Sequence, residues 1–187
     1  QQTQTVEIVV GQDPGPEIFC PAIVCEGDTV SYHTNALCSD FVWSVGGGQI
    51  VSLPINNDTI RVVWGSGTNG IGTISLSVPN CSGLCDMPNL KTVPIVPTVV
   101  SISGPQYVGA GNVSHYTVPF IPGTNYQWSC DQCAAISSQG GHEVEILWEQ
   151  NAVGAANVQV SLTNSLANCE GEGLLPATII RYSPMSE

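Results

Sequence analysis

The chain has 187 residues, of which only 10% are charged, and its 3 Lys and Arg stand against 15 Asp and Glu for a formal net charge of −12. Soluble domains average about 25% charged residues, so this sparse acidic surface is expected to take neither nucleic acid nor an anionic membrane as partner. Apolar runs stop far short of the roughly 20 residues that span a bilayer, as where Glu7 interrupts Val6 to Val10. No membrane insertion is expected, and any export signal is expected to be removed or to lie outside this stretch.

In chain order, Val6, Ile8 and Val10 alternate with Glu7 and Val9 as a short strand within residues 1–11. Pro14, Gly15 and Pro16 follow as a stiff joint. Phe41, Trp43 and Val45 then alternate with Val42 and Ser44, Gly46-Gly47-Gly48 marks a turn, and Ile60, Val62 and Trp64 form an apolar strand face. Asn56-Asn57-Asp58 and Gly65-Ser66-Gly67 read as further turns. Ile74, Leu76 and Val78 alternate with Thr73, Ser75 and Ser77, and a closing strand runs through Leu90, Thr92 and Pro94. Pro94, Pro97 and Gly104-Pro105 separate this unit from the next.

The next unit repeats the first. Tyr32, Trp43, Ile50, Trp64 and Cys81 recur in order as Tyr116, Trp128, Ile136, Trp148 and Cys169, at separations of 84, 85, 86, 84 and 88 residues. Tyr126, Trp128 and Cys130 repeat the strand of Trp43; Val144, Ile146 and Trp148 oppose Glu143, Glu145 and Glu149; Val158, Val160 and Leu162 oppose Asn157, Gln159 and Ser161. One face of each strand is buried and one is wet, and no helical period of useful length occurs. The expected fold is all-β, with two tandem immunoglobulin-like β-sandwiches of about seven antiparallel strands each. They occupy residues 17–97 and 100–182, are stacked by short joints into an extended rod, and are preceded by the extra strand of 1–11. Tyr32, Trp43, Trp64, Tyr116, Trp128 and Trp148 fall on the apolar faces as core aromatics, each ring burying on the order of 200 Å².

An offset of 84 lays Val6, Ile8 and Val10 on Leu90, Thr92 and Pro94, and a third closing strand lies near Ala177 to Tyr182. Three closing strands with two complete units leave two readings open. Val6 to Val10 closes an upstream module, or it is donated to the sheet edge of a neighbouring subunit.

Eight cysteines, Cys20, Cys25, Cys38, Cys81, Cys85, Cys130, Cys133 and Cys169, are read as disulfide candidates in an exported protein. The preferred bridge joins Cys25 to Cys81, from the start of an early strand to the end of a late one. It cannot recur in the second unit, where the offset carries Cys25 onto Gly109, so Cys169 is expected to pair with Cys130 or Cys133. Cys130-Asp131-Gln132-Cys133 has redox spacing but lies in a strand-to-strand turn, without the helix that lowers a thiol pKa or the second pair that zinc needs. A structural bridge, local or to Cys169, is its expected role.

His33, His115 and His142 lack paired spacing, so no metal, cofactor or catalytic residue is expected, and the nucleophile, phosphate-loop and calcium-loop motifs are missing from the sequence. Phe120 and Tyr107, flanked by prolines, are the exposed aromatics for ligand contact. Asn57 and Asn112 head N-glycosylation sequons, and Asn80-Cys81-Ser82 fits the pattern formally.

The run Cys25-Glu26-Gly27-Asp28-Thr29-Val30-Ser31-Tyr32, then Phe41 to Ile50, Ile60-Arg61-Val62-Val63-Trp64, Gly72-Thr73-Ile74 and Cys81, resembles the PKD-like immunoglobulin-fold modules. The resemblance covers residues 17–182, although the second unit lacks the early cysteine and the Gly-Gly turn. Such modules stand in tandem in large secreted and cell-surface proteins of the Bacteroidota, many exported by the type IX pathway. In that setting Thr29 and Thr59, each after Asp and before an apolar residue, look like O-glycosylation sites. The resemblance implies an extracellular, non-enzymatic structural or adhesive part of a surface fibre or adhesin, with neighbouring copies or modules as partners. A filament subunit polymerising through residues 1–11 is the first alternative. A carbohydrate-binding region of a secreted hydrolase, with polysaccharide as partner, is the second.

Overall fold

A computed structural model describes residues 17–19, 21–36, 40–52, 58–79 and 89–181. Val6, Ile8, Val10, Asn57, Cys20, Cys38, Cys81 and Cys85 lie outside the described residues. In chain order the first copy contributes β1 (Ile18–Phe19), β2 (Val24–Cys25), β3 (Thr29–Thr34), β4 (Val42–Gly46), β5 (Gly48–Ser52), β6 (Thr59–Trp64), β7 (Ile71–Ser77) and β8 (Asn89–Val96). The second contributes β9 (Tyr107–Gly109), β10 (Val113–Thr117), β11 (Thr124–Cys130), β12 (Cys133–Ser137), β13 (Glu143–Trp148), β14 (Gly154–Asn164) and β15 (Cys169–Ile180).

Strand order makes each copy a sandwich. In the first, β1-β3-β6-β5 form one sheet and β2-β8-β7-β4 the other; in the second, β10-β13-β12 face β11-β14-β15-β9. With the strands lettered along the chain, these are the B-E-D and C-F-G groupings of the immunoglobulin fold. The registers repeat as closely as the sequence: Tyr32 opposes Ile60 as Tyr116 opposes Val144, and Val24 opposes Ile95 as Val108 opposes Ile179.

Alternation explains the burial. Ile60, Val62 and Trp64 with Ile74, Leu76 and Val78 fill the first core, and Val144, Ile146 and Trp148 with Val158, Val160 and Leu162 fill the second. β-Branched and aromatic side chains on one pleated face suit this half-buried surface. In each core the ring of the β3 or β10 tyrosine meets the tryptophan of β6 or β13 edge-on. Tyr32 and Trp64 lie 6.0 Å apart at 77°, and Tyr116 and Trp148 lie 6.5 Å apart at 76°. Trp128 is buried, whereas Trp43 is half-buried at the margin of its core.

Several expectations are corrected. The strands are not all antiparallel: β2 runs parallel to β8, and β9 parallel to β15, because the chain enters each sandwich beside the strand that leaves it. Among the described residues the first copy shows eight strands, since β1 and β2 split the opening segment between the two sheets. Residues 104–105 do not belong to the joint, because Ser103 already pairs with Thr117 inside the second sandwich. In β8 the inward residues are Val93 and Ile95, while Leu90 and Thr92 are exposed and Pro94 is half-buried. The positions onto which the offset lays Val6, Ile8 and Val10 are therefore not the inward face of a closing strand.

The tight turns follow local chemistry. Gly47 alone separates β4 from β5, with φ of 80° and a Cβ position only 2.9 Å from Gly67 Cα, so a side chain there would be both strained and obstructed. In the second copy this glycine turn is replaced by Asp131-Gln132, closed by a Cys130–Cys133 disulfide. Gln132 takes the left-handed conformation with φ of 56°, and its side chain bonds the Ala155 carbonyl and the Val153 amide.

Candidate functional site: a disulfide-closed joint

The residues that distinguish this pair of sandwiches from two beads on a string gather where they meet. Cys25 ends β2, the strand beside the outgoing β8, and so sits at the trailing end of the first sandwich. Cys169 begins β15 after a short turn from β14, at the leading end of the second. The two form a disulfide across the joint, with Cα atoms 5.8 Å apart and a sequence separation of 144. The expected Cys25–Cys81 bridge and a Cys169 bridge to Cys130 or Cys133 are thereby overturned. Cys130 and Cys133 pair locally, as their turn position allows.

Each side of the staple is held in place. Asn164, fully buried at the end of β14, donates from Nδ2 to the Pro122 carbonyl at 2.7 Å and to Thr124 Oγ1 at 2.8 Å. Its Oδ1 accepts the Leu166 and Ala167 amides, both at 3.0 Å. All of its polar capacity goes into shaping the turn that presents Cys169, which is why a buried amide is tolerated there. On the other side, the Glu26 carboxylate accepts the Thr98 amide at 2.8 Å and its hydroxyl at 3.0 Å.

Apolar burial closes the joint as well. Ile23 and Val96, from the first unit, are buried in the cluster that forms the core of the second. The connecting residues add a short parallel ladder to β15: the Val100 amide donates to the Glu172 carbonyl at 2.9 Å, and the Glu172 amide to the Thr98 carbonyl at 3.0 Å. Glycine makes this approach possible, because a Cβ on Gly171 would overlap the Pro97 carbonyl. The joint is continuous structure, with a covalent bond on one side and backbone hydrogen bonds on the other.

Beside the joint runs a groove of about 470 Å³ lined by Thr98, Ser161, Thr163, Glu170 and Glu172. It has no aromatic wall, and the tryptophans lie elsewhere: Trp64, Trp128 and Trp148 are buried and Trp43 is half-buried. Phe120 and Tyr107 are exposed as expected, and Phe120 meets His142 edge-on at 5.4 Å. The histidines have neighbours that their spacing did not disclose. His115 and His142 both approach the exposed Glu143 carboxylate, at 3.8 and 3.5 Å, and His33 stacks on Phe19 at 4.9 Å. Among the described residues no group of three His, Cys, Asp or Glu side chains is arranged to hold a metal ion, and no helix is long and apolar enough to cross a membrane. Asn112 and Thr29 are exposed and Thr59 is half-buried.

Two buried tyrosines are perturbed. Burial pushes the Tyr116 and Tyr126 phenols above their ordinary value of 10.0, against the lowering effect of their hydrogen bonds. Tyr116 donates to the Pro105 carbonyl at 3.0 Å; Tyr126 donates to the Pro119 carbonyl at 3.0 Å and accepts the Ile121 amide at 2.8 Å.

No family model and no curated protein sequence matches the chain. Among solved structures, the D00-D0 domain of intimin matches at 13% identity and a TM-score of 0.49, over 88% of this chain and 99% of that one. A titin tandem of Ig domains matches at 12% and 0.37, over 89% and 97%. The PKD domain of human KIAA0319 matches at 18% and 0.34, over 48% and 88%. Identities and TM-scores this low leave the assignment to the chain's own strand order and registers, which make it an all-β protein of immunoglobulin-like sandwiches.

Proposed function

We propose that this chain is a non-enzymatic, extracellular load-bearing segment, two units of 17–97 and 100–182 that serve as a stiff spacer in a surface fibre or adhesin. Export by the type IX route belongs to this reading, on the strength of the sequence resemblance alone. The observation that carries the proposal is the Cys25–Cys169 bond. When the chain is pulled from its ends, tension passes from Cys25 through sulfur to Cys169, and the intervening residues cannot lengthen even if they unfold. At ~3.5 Å per extended residue, the separation of 144 withholds roughly 500 Å of contour. A flexible catalytic hinge gains nothing from such a shortcut, whereas a stalk that must hold its length does. Two disulfides among the described residues also suit an oxidising compartment.

Single-molecule stretching of the oxidised chain from its two termini tests this reading. The expected trace releases only the residues before Cys25 and after Cys169, and reduction restores the missing length of roughly 500 Å. Full extension of the oxidised chain would remove the basis for a load-bearing role.

A further inference from the structure

We propose that the Cys130–Cys133 disulfide is a redox-exchange site, opened by a dithiol while both sandwiches stay folded and Cys25–Cys169 stays closed. The two bridges do different things for the fold. One at a sequence separation of 144 restrains the unfolded chain strongly, whereas one at a separation of 3 restrains it little. Exchange also needs access for the attacking thiolate. Cys130 and Cys133 are half-buried at a turn, whereas Cys169 is 6% exposed and belongs to the core of the second sandwich.

The turn holds its shape without sulfur. The first copy makes the equivalent turn, from β4 to β5, with Gly47 alone. In the second copy hydrogen bonds clamp the turn from outside. The Asp131 amide donates to the Asn157 carbonyl at 3.0 Å, and Asn157 donates its own amide and its Nδ2 to Asp131 Oδ2, at 3.2 and 2.9 Å. Gln132 Nε2 donates to the Ala155 carbonyl at 2.9 Å, its Oε1 accepts the Val153 amide at 3.3 Å, and its carbonyl accepts the Glu149 amide at 3.1 Å. The cysteines are anchored in opposite sheets, Cys130 opposite Val158 of β14 and Cys133 opposite Trp148 of β13. None of these contacts passes through sulfur, so cleavage leaves them in place and keeps the two thiols side by side for reoxidation.

The chemistry selects the class of reductant. A thiolate attacks one sulfur of the pair: a mixed disulfide forms, the Cys130–Cys133 bond breaks, and the other cysteine leaves as a thiolate. With the Cα atoms held 5.9 Å apart, that thiolate stays beside the new bond, expels a monothiol and restores the bridge. A dithiol competes on equal terms, because its second thiol is tethered to the same mixed disulfide. It departs as its own disulfide, having given up two electrons, and its two protons end on Cys130 and Cys133. The pair is a substrate of exchange and not its catalyst, since its turn joins two strands and lacks the helix N-terminus that activates such thiols.

Native-state treatment of the oxidised full chain with dithiothreitol, quenched with iodoacetamide and read peptide by peptide, is the test. Alkylation of Cys130 and Cys133 is expected at least about tenfold faster than that of Cys25 and Cys169, with near-ultraviolet circular dichroism unchanged. The monothiol 2-mercaptoethanol, at the same thiol concentration, should yield far less alkylation at the pair. A Cys130→Ser/Cys133→Ser variant should keep the parent's spectrum. Both bridges opening together, a pair that opens only on denaturation, equal opening by the two reagents, or a double variant that does not fold would each overturn the proposal. The force trace depends on Cys25–Cys169 alone, so the load-bearing reading stands or falls separately.

Discussion

Cys25 and Cys169 belong to different sandwiches, yet their Cα atoms, 5.8 Å apart, are as close as those of Cys130 and Cys133 within one turn, at 5.9 Å. The long bridge couples the folding of the two units, because neither can unfold without leaving the other on a shortened tether. In the chain-entropy account, closing a loop of 144 residues stabilises the folded state by about 5 kcal/mol.

A Cys25→Ser/Cys169→Ser double variant is therefore expected to lose up to about that 5 kcal/mol. Its calorimetric unfolding should split into two transitions where the oxidised parent shows one. Because Ile23 and Val96 stay buried against the second core, the far-ultraviolet spectrum before melting should not change. An unaltered single transition would show that the apolar pads and β15 ladder couple the units without the disulfide.

The in-and-out face of the main strands was legible in the sequence, and the way one sandwich meets the next was not. Alternation around Trp64 and Trp148 reports which sheet face is buried, and the offset of 84 reports the repeat, so both cores could be read directly. Cys25 defeats that reading because its partner is chosen by the axis on which the sandwiches stack, a coordinate that strand periodicity does not encode. A bridge within one unit is the natural expectation for a repeat protein. The usable signal was the failure of the repeat itself: Cys25 falls on Gly109, while Cys81 falls on Cys169, so the two cysteines do not recur as a pair. The contact of His115 with Glu143 was hidden for a related reason, since it depends on how β10 lies against β13.

The two Tyr–Trp pairs occupy equivalent places with different wiring, which gives a paired prediction. Trp64 Nε1 donates to Tyr32 Oη at 2.8 Å, whereas Trp148 Nε1 donates to Ser114 Oγ at 3.2 Å. Tyr32→Phe leaves a buried indole N–H without that acceptor and should cost about 1–3 kcal/mol. Tyr116→Phe leaves the Trp148–Ser114 bond in place and gives up the bond to Pro105 and the hydroxyl contact with Ser114, a loss of about 0.5–1.5 kcal/mol. Ser114→Ala should restore the larger penalty in the second sandwich. Denaturant titrations of the three variants check the order, and equal losses for Tyr32→Phe and Tyr116→Phe would sink it.

Alkaline sensitivity follows from the tyrosines of the second sandwich. Burial raises the folded-state values of Tyr116 and Tyr126 above 10.0. As pH climbs from that ordinary value toward the folded one, the unfolded chain has released these protons and the folded chain still holds them. The unfolded state then binds fewer protons, so stability falls over this window and is fully present below it. Ionisation within the folded state would also remove the donors that hold the Pro105 and Pro119 carbonyls, detaching two loops of the second sandwich. Urea midpoints measured at roughly pH 9 and pH 11, on either side of an ordinary tyrosine pKa, should drop for the parent chain. They should drop less for a Tyr116→Phe/Tyr126→Phe variant, whose starting stability is lower but whose two perturbed protons are gone. An equal drop in both proteins would assign the alkaline loss to other groups.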